Sequence, residues 1–532
     1  MTSSRTPTPR TAADADVVVV GGGPTGLMLA GDLAAAGVSV RILERRSRHL
    51  SNFTRAFTVH ARTLEQLDTR GIAEELLTSG TRLDTLPLFG ELDIYFSHLP
   101  TRYPFLLLSP QYDVERALEA RAVKLGVEID YHAEVTGLRQ DAEGVDVRAR
   151  LGDGTEVSHR ARYAVGTDGV RSTVRGLLGI PFPGDTILRS VIIGDVLMKE
   201  APPDLLTVDA NAHGFAFICP FGDGYYRVLA WNRHAQHSAD EAVDFEELRR
   251  LTRDVLGSDF GMHDPRWVSR FHSEERQAPH YRAGRVFLAG DAAHVHAPAG
   301  GMGMNIGLQD AANLSWKLAA AVHGYGGDAL LDSYEAETHP VGKEVLRTSG
   351  ALVRAAVAQS GRTRLAQQFM IWLAGHLGGL GRAVGRREGS AISGTSISYR
   401  RPKGGHRLAG QFWRHRPDER VKEALRTGRF VLLGRSPELA RAAADWSDRV
   451  VTAAPDAASP DAVAPAEPAA VLIRPDGYVA WASDRPDPAA VRRALARWAG
   501  PAGKRRHDAP ADDRAEALTE AGLDRTSAQP SR

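Results

Sequence analysis

The 532-residue sequence predicts an α/β protein with three parts: a parallel-sheet domain, an inserted and mostly antiparallel sheet domain, and a separate C-terminal α/β domain. Three observations predict this fold class. A βαβ pattern opens the chain at residues 16–44. Helical periodicity drops between residues 181 and 280, where β-forming residues alternate or cluster. Beyond residue 401, short apolar runs are separated by an Ala-rich helical segment.

Three glycines follow the first β-branched run, residues 17–20, in the spacing Gly21-x-Gly23-x-x-Gly26. The first allows a tight turn, the second lets the backbone approach a pyrophosphate, and the third lets the helix pack closely on the strand. The N-terminus of the following helix offers free N–H groups and a partial positive charge. The pattern therefore predicts a Rossmann-like dinucleotide site.

The acid that completes this pattern is Glu44, which ends the second predicted strand at residues 38–43. Glu44 lies 18 positions after Gly26. An acid at about this distance accepts hydrogen bonds from a ribose hydroxyl. Because both strands, the helix and the acid are present, we prefer the dinucleotide site to the alternative of an ordinary βαβ turn.

Weaker patterns predict the remaining elements of the parallel-sheet domain. Residues 50–125 look helical with loops, and the stretch ends in a helix at about 112–125. The later segments are strands at 127–131, 135–138, 145–150 and 161–167, a resumed parallel strand at 285–289, a long helix at about 304–322, and a mainly helical stretch at 328–400.

These patterns also set the predicted domain boundaries. In the C-terminal domain, apolar runs at 430–433, 450–451 and 470–473 predict strands, and the Ala/Pro/Asp-rich residues 453–470 predict a flexible loop. The boundaries are a disordered tail at 1–14, the Rossmann-like domain at 15–180 and 281–400, the inserted sheet at 181–280, the C-terminal domain at 401–500, and a flexible tail at 501–532.

Composition argues against several classes of function. The net charge of +1 offers no field for steering nucleic acid. The lone Cys219 rules out an internal disulfide and a cysteine metal cluster, and there is no HExxH motif, so we expect no metal site. No uncharged apolar run approaches the length of a membrane span, and the polar N-terminus lacks the apolar region of a signal peptide. We expect a cytoplasmic protein without membrane or nucleic-acid partners.

Two further predicted strands end on carboxylates. Asp168-Gly169 follows the strand at 161–167, and Gly290-Asp291 follows the strand at 285–289. A carboxylate at the mouth of a parallel strand is well placed to bind a sugar-alcohol hydroxyl. The structural alternative for either aspartate is an N-terminal helix cap.

A glycine-rich loop, residues 298–305, opens the long helix near residue 304. Such a helix can aim its dipole and its free N–H groups at an anion that develops during a reaction. The alternative is a mobile loop without a binding role.

Together these segments resemble the class A flavin-dependent aromatic hydroxylases, the family of para-hydroxybenzoate hydroxylase. The resemblance covers residues 16 to about 345 and is nearest to the longer branch that acts on polyketide aromatics and rifampicin. Residues 471–481 resemble the end of the thioredoxin-like domain of that branch. This domain has no cysteine here, so thiol redox chemistry is excluded.

The resemblance implies FAD as the cofactor and assigns contacts with it along the chain. Met302 departs from the pattern, because many relatives have Gln there. The implied contacts are Gly21, Gly23, Thr25 and Gly26 at the pyrophosphate; Glu44 and Arg45 at the adenosine ribose; Arg55 and Gln111 at the centre; Val135 at the adenine; Asp168 at FAD and the nicotinamide donor; Gly290 and Asp291 at the ribityl chain; and Pro298, Gly301, Gly303, Met304 and Asn305 at the isoalloxazine.

The same resemblance implies a monooxygenase in which NADPH or NADH reduces FAD, O2 forms a flavin C4a-hydroperoxide, and a polycyclic aromatic substrate is hydroxylated. Three alternatives stay open: Baeyer–Villiger oxygen insertion, a flavin reductase or dehydrogenase, and a non-catalytic flavin-binding module. Only one dinucleotide fingerprint is present, so the donor is expected to dock transiently. The subunit number is left as monomer or homodimer.

Aromatic residues of the inserted sheet are the candidate walls of a dry substrate site, because water would divert the oxidant to H2O2. The alternative for each is ordinary sheet core. No catalytic acid or base is identified. The candidates for substrate contact are Phe215, Phe217, Phe221, Trp231 and His213.

Overall fold

The computed structural model describes residues 14–48, 56–88, 92–235, 237–238, 241–356, 387, 389–401, 405–413, 419–434, 436–454 and 468–503. Most of the two predicted tails, most of the predicted loop at 453–470, and Arg55 lie outside the described residues.

The chain begins with the βαβ unit and continues through short strands to a long strand that ends beside it. The elements are β1 Ala15–Val20, α1 Pro24–Ala35, β2 Val40–Glu44, β3 Thr58–Val59, α2 Ala61–Asp68, α3 Ala73–Ser79, β4 Thr81–Leu83, β5 Thr85–Leu88, β6 Leu92–Tyr95, β7 Leu106–Leu108, α4 Gln111–Lys124, β8 Glu128–Tyr131, β9 Glu134–Gln140, β10 Val145–Arg150, β11 Glu156–Gly166 and α5 Thr173–Leu177.

The prediction of helices and loops for residues 50–125 is wrong in part, because five short strands, β3 to β7, lie in this stretch. They form a three-stranded sheet in the order β3-β7-β4 and the β5–β6 hairpin. The three leucines of β7 are buried. So short an apolar run has no period that could distinguish a strand from a helix.

The inserted domain is an antiparallel sheet with the helix Phe245–Leu256 packed on one face. Its elements are β12 Gly184–Leu197, β13 Thr207–Ala210, β14 Gly214–Pro220, β15 Tyr226–Asn232, α6 Phe245–Leu256 and β16 His263–Gln277. The backbone N–H of Gln277 donates to the carbonyl of Pro183, 3.1 Å away, so the chain enters and leaves this domain at adjacent points.

After the insertion the chain returns to the first sheet and then forms two long helices. The elements are β17 Arg282–Ala283, β18 Val286–Leu288, β19 His294–Val295, α7 Met302–Val322 and α8 Asp328–Ala356. The strand order of the main path is β17-β18-β11-β1-β2-β8, and the pairs from β18 to β8 are parallel. The carboxyl ends of these parallel strands therefore meet at one edge.

Strand β19 does not join this sheet but pairs antiparallel with β16, so the antiparallel sheet has the order β13-β14-β15-β12-β16-β19. After β18 of the parallel sheet, the chain therefore adds the last strand, β19, to the edge of the antiparallel sheet.

The C-terminal domain is a four-stranded sheet flanked by helices. Its elements are α9 Glu419–Arg426, β20 Phe430–Gly434, α10 Pro437–Ala442, β21 Val450–Ala453, β22 Ala470–Ile473, β23 Val479–Ser483 and α11 Pro488–Trp498. The strand order is β21-β20-β22-β23, with β20 and β21 parallel and the other pairs antiparallel. Within the described ranges, no helix is both long and apolar enough to cross a membrane.

Candidate active site

A cavity of about 630 Å³ lies between the carboxyl edge of the parallel sheet and the inserted sheet. Polar groups from the strand ends line one part of it, and apolar side chains line the other. Thirteen of the predicted cofactor residues line it: Gly21, Gly23, Thr25, Glu44, Arg45, Gln111, Val135, Asp168, Asp291, Pro298, Gly301, Gly303 and Met304.

The glycine fingerprint leaves space where a pyrophosphate has to lie. Gly21 has φ +105°, and a Cβ there would lie 2.6 Å from the Thr167 carbonyl oxygen. A Cβ at Gly23 would meet nothing within 4 Å, so the space above Gly23 is open. Helix α1 begins here without a side-chain cap, which leaves its first N–H groups available to an anion.

Glu44 is held in a fixed orientation at the end of β2. Its Oε2 accepts a hydrogen bond from the Gly22 N–H at 2.5 Å, and its Oε1 accepts one from the Arg46 N–H at 2.7 Å. The Arg46 guanidinium also contacts both Glu44 and Glu115. Sequence reasoning named Arg45 and missed Arg46, although Arg46 is the arginine that orders this carboxylate.

Both strand-end aspartates line the cavity, but their surroundings differ. Asp168 accepts hydrogen bonds from the Ser172 hydroxyl at 2.6 Å and the Val174 N–H at 3.0 Å, so it also orders the start of α5. Asp291 lies in a single 3₁₀ turn, and its side chain is exposed to the cavity. The N-cap residue of α5 is therefore Ser172 and not Asp168, although the Asp168 carboxylate accepts from the first turn of that helix and also lies in the cavity wall.

The glycine-rich loop turns sharply just before α7. Gly300 and Gly301 both adopt left-handed conformations, with φ +78° and +63°. Helix α7 follows at Met302 without a side-chain cap. The first turn of a 21-residue helix therefore faces the cavity with N–H groups that have no partner within the helix. Together with the strand-end acids and the open space at Gly23, this donor set fits a flavin dinucleotide.

Comparison with known proteins identifies the family. A family model described as an FAD binding domain matches residues 14–349, and one described as the C-terminal domain of aromatic-ring hydroxylases matches residues 402–502. The chain belongs to the FAD-dependent aromatic-ring hydroxylases. The resemblance and the fold class predicted from the sequence are thereby confirmed, and the protein is an FAD-dependent monooxygenase.

Three similar proteins illustrate the relationship. Rifampicin monooxygenase from Streptomyces venezuelae is 38% identical over 476 residues, which cover 88% of this chain and 96% of that protein. The structure of an anhydrotetracycline hydroxylase from Streptomyces rimosus matches with a TM-score of 0.80 at 37% identity, over 92% of this chain and 100% of that chain. An aromatic hydroxylase from angucycline biosynthesis matches with a TM-score of 0.80 at 35% identity, over the same two fractions.

Three of the predicted cofactor residues do not line the cavity of this enzyme. A Cβ at Gly26 would lie 2.0 Å from the Gly21 carbonyl oxygen, so Gly26 permits close packing of helix on strand. A Cβ at Gly290 would lie 2.7 Å from Thr25 Oγ1, which makes Gly290 a spacer behind Thr25. Asn305 is fully buried, and its amide is engaged by the backbone of the surrounding loops.

Asn305 joins the glycine loop to strand β3. Its Oδ1 accepts from the His60 N–H, and its Nδ2 donates to the carbonyls of Thr58 and Gly301, all at 2.8 Å. Asn305 is therefore a loop anchor and not the flavin contact expected from the sequence, because it is fully buried and both ends of its amide are already hydrogen-bonded. His60 and Thr58 lie about 245 positions earlier in the chain, so no local signal could reveal this contact.

Asp310 anchors the turn that carries Asp291. Its Oδ2 accepts from the Gly290 N–H at 3.0 Å and pairs with His294 Nε2 at 2.7 Å. Burial by itself would lower the pKa of His294, but the Asp310 carboxylate outweighs this effect and raises the pKa. Sequence reasoning gave neither residue a role: His294 lies within the same segment as Gly290 and Asp291, whereas Asp310 lies on α7, 20 positions after Gly290.

The apolar part of the cavity includes two of the predicted substrate residues. Phe215 and Phe217 line it, and Phe217 packs against Phe57 with ring centroids 5.3 Å apart. Other apolar lining residues come from several elements, among them Leu83, Leu206 and Phe271.

Three predicted substrate residues do not line the cavity. Phe221 lies beyond the end of β14, fully buried beneath the guanidinium of Arg227, which is 3.5 Å from its ring centroid. Trp231 is covered by the ring of Phe215 and donates its indole N–H to the Arg189 carbonyl. His213 is exposed in the turn before β14. The alternative of sheet core holds for Trp231, whereas Phe221 is buried just beyond the end of the strand.

Proposed function

We propose that the enzyme uses NADPH or NADH and O2 to insert one oxygen atom into a polycyclic aromatic of polyketide or ansamycin type, as a ring hydroxylation. The observation that carries this proposal is the continuity of the cavity. The strand-end groups that suit FAD and the phenylalanine-rich wall that suits an aromatic ring open into the same space. A cofactor and an apolar ring bound there would be neighbours.

The names of the relatives support the substrate class. They are a rifampicin monooxygenase, an anhydrotetracycline hydroxylase and a hydroxylase from angucycline biosynthesis. All three names refer to extended ring systems. The walls formed by Phe57, Phe215 and Phe217 offer flat, uncharged contacts for such rings.

Bound FAD supplies the activation of O2 and the transfer of one oxygen atom. The residues of the chain bind and orient the cofactor and the substrate, and they keep water out of the cavity. Gly23 and the N-terminus of α1 would hold the pyrophosphate, Glu44 would accept hydrogen bonds from the adenosine ribose, and Asp291 would accept them from the ribityl hydroxyls. The N–H groups at the start of α7 would stabilise negative charge on the ring system. Because the aromatic wall excludes water, it would reduce the fraction of the oxidant that is released as H2O2.

The test is to follow NADPH and NADH oxidation by the FAD-loaded protein with a panel of polyketide and ansamycin aromatics, and to measure product mass. We expect oxidation stimulated by one member of the panel and a product that gains one oxygen atom on an intact ring. A product whose ring connectivity changes would support Baeyer–Villiger insertion instead. Stoichiometric H2O2 without product across the panel would favour a reductase, and a protein that ignores added FAD would overturn the proposal.

A further inference from the structure

The two left-handed glycines of the loop have their carbonyl groups fixed by different side chains. The carbonyl of Gly301 accepts from Asn305 Nδ2, and the carbonyl of Gly300 lies 2.8 Å from Nε2 of His60. Both carbonyls are therefore held by the protein. The loop conformation is set by these two hydrogen bonds as well as by the permissive backbone of glycine.

His60 is buried and is hydrogen-bonded through both its backbone and its side chain. Its side chain is 2% exposed, and its backbone N–H is bound by Asn305 Oδ1. A carbonyl oxygen can only accept, so the proton of the imidazole must be on Nε2. Burial lowers the pKa of His60 to about 4, against its ordinary value of 6.5, so the ring is neutral at pH 7. The donor to Gly300 is therefore a neutral imidazole with one defined tautomer.

The loop held by His60 leads directly into α7. Met302, Gly303 and Met304 form the first turn of that helix, and all three line the cavity. A change at Gly300 or Gly301 would rotate the peptide groups that follow, because the helix has no side-chain cap to fix its start. The direction of the N–H groups at the start of α7 therefore depends on the hydrogen bonds that His60 and Asn305 make to these two carbonyls.

We propose that His60 is a positioning residue of the flavin site, which holds Gly300 so that the N–H groups at the start of α7 point at the anionic edge of the reduced isoalloxazine. This rests on the proposed function in requiring that FAD occupies the cavity. It predicts that His60 stabilises the reduced, negatively charged cofactor more than the oxidised one, although it touches neither.

The experiment compares His60→Phe, which removes the donor, with His60→Gln, which keeps an N–H donor. The matched control is His323→Phe at the other end of α7, where Nε2 lies 2.8 Å from the Ala36 carbonyl at an exposed site. The readouts are the FAD dissociation constant and the midpoint potential of bound FAD, without an aromatic substrate. Thermal unfolding checks that each variant folds, and His60→Met replaces His60→Phe if the latter does not.

We expect His60→Phe to lose about tenfold in affinity for reduced relative to oxidised FAD, a potential about 30 mV more negative for a two-electron couple. His60→Gln should recover most of the shift, and the His323 variant should show none. An unchanged potential in His60→Phe, or an equal shift in His60→Gln, would overturn the positioning role. Failure of the wild-type protein to bind FAD would instead refute the proposed function.

Discussion

Asp476 of the C-terminal domain accepts a hydrogen bond from the indole Nε1 of Trp316 on α7, with a nitrogen–oxygen distance of 3.2 Å. The contact belongs to a buried cluster in which Arg474 pairs with Asp476 and with Glu337 of α8, and Lys317 pairs with Glu337 at 2.8 Å. Burial would lower the pKa of Arg474, but the two carboxylates raise it. The C-terminal domain thus holds the same helix whose first turn faces the cavity.

Asp476→Ala should lower the stability of the fold and leave FAD binding intact. Asp291→Ala should weaken FAD binding and leave the stability of the fold unchanged. Loss of one partner from a buried ion pair costs about 3–5 kcal/mol, because Arg474 is left without its nearest carboxylate. Loss of a hydrogen bond to a charged group at Asp291 costs about 1.5–3 kcal/mol of binding, or roughly 10- to 150-fold. Thermal unfolding and FAD titration of both variants measure the two effects separately. Equal FAD affinity in the two variants would refute the role of Asp291.

Substitutions at two glycines of the fingerprint, Gly23 and Gly26, should separate an effect on FAD binding from an effect on folding. In Gly23→Ala the added methyl meets no protein atom within 4 Å, so the apoprotein should fold normally but bind FAD poorly. In Gly26→Ala the methyl would lie 2.0 Å from the Gly21 carbonyl oxygen, so the fold itself should be destabilised. Circular dichroism melts of the apoproteins and FAD titrations test this. Normal FAD binding by Gly23→Ala would show that the pyrophosphate lies elsewhere.

Phe217→Ala and Phe221→Ala should differ in their effect on coupling, the fraction of NADPH oxidation that yields hydroxylated product and not H2O2. Phe217 lines the cavity, so its truncation admits water, and the fraction of NADPH that ends as H2O2 should rise. Phe221 is buried outside the cavity, and its truncation should cost about 3–5 kcal/mol of stability with little change in coupling. Peroxide assays beside product measurement distinguish the two. A larger peroxide fraction in Phe221→Ala than in Phe217→Ala would contradict the assignment of the wall.

Stability should fall as the pH is lowered from about 6.5 to 4. Burial lowers the pKa of both His60 and His296 to about 4 in the folded protein, against an ordinary value of 6.5. Between these values the unfolded chain binds more protons, so acid favours unfolding, and above 6.5 the two histidines contribute no slope. Each additional proton bound by the unfolded chain lowers the free energy of unfolding by about 1.4 kcal/mol for every pH unit of acidification.

Urea unfolding of the wild type and of His60→Phe at pH 7.0, 6.0 and 5.0 measures this dependence. The free energy of unfolding should depend less steeply on pH in the variant, because only His296 then differs in pKa between the folded and the unfolded chain. A slope unchanged by the substitution would mean that His60 is protonated equally in the folded and unfolded chain.

The parts of the site predicted from sequence are those with local spacing. The glycines near Gly23, the acid Glu44 and the two strand-end aspartates follow from patterns of fewer than thirty residues, and parallel strands bring their ends to one edge. The anchor between His60 and Asn305 joins segments 245 positions apart, and only the fold brings them together.

Some of the missed features did have a local signal. Helix α6 has Asp244 as its N-cap, apolar residues at Leu248, Leu251 and Val255, and a left-handed Gly257 after its end. This helical signal was overlooked because the flanking segments have the pattern of strands.

Alternation along strand β14 separates its cavity-facing side chains from its core side chains. Phe215 and Phe217 face the cavity, and Ala216 and Ile218 pack against α6. Phe221 lies past the strand end, where alternation no longer applies.

The hydrogen bond between Gln277 and Pro183 has a consequence for engineering. Because the inserted sheet departs and returns through neighbouring peptide groups, residues 184–277 form a cassette with paired splice points. Exchanging this cassette with that of a relative would transplant the part of the apolar cavity wall that includes Phe215, Phe217 and Phe271, and would leave the strand ends of the parallel sheet in place. The β16–β19 pairing and the contact of α8 with the cavity mark the surfaces that such a chimera would have to match.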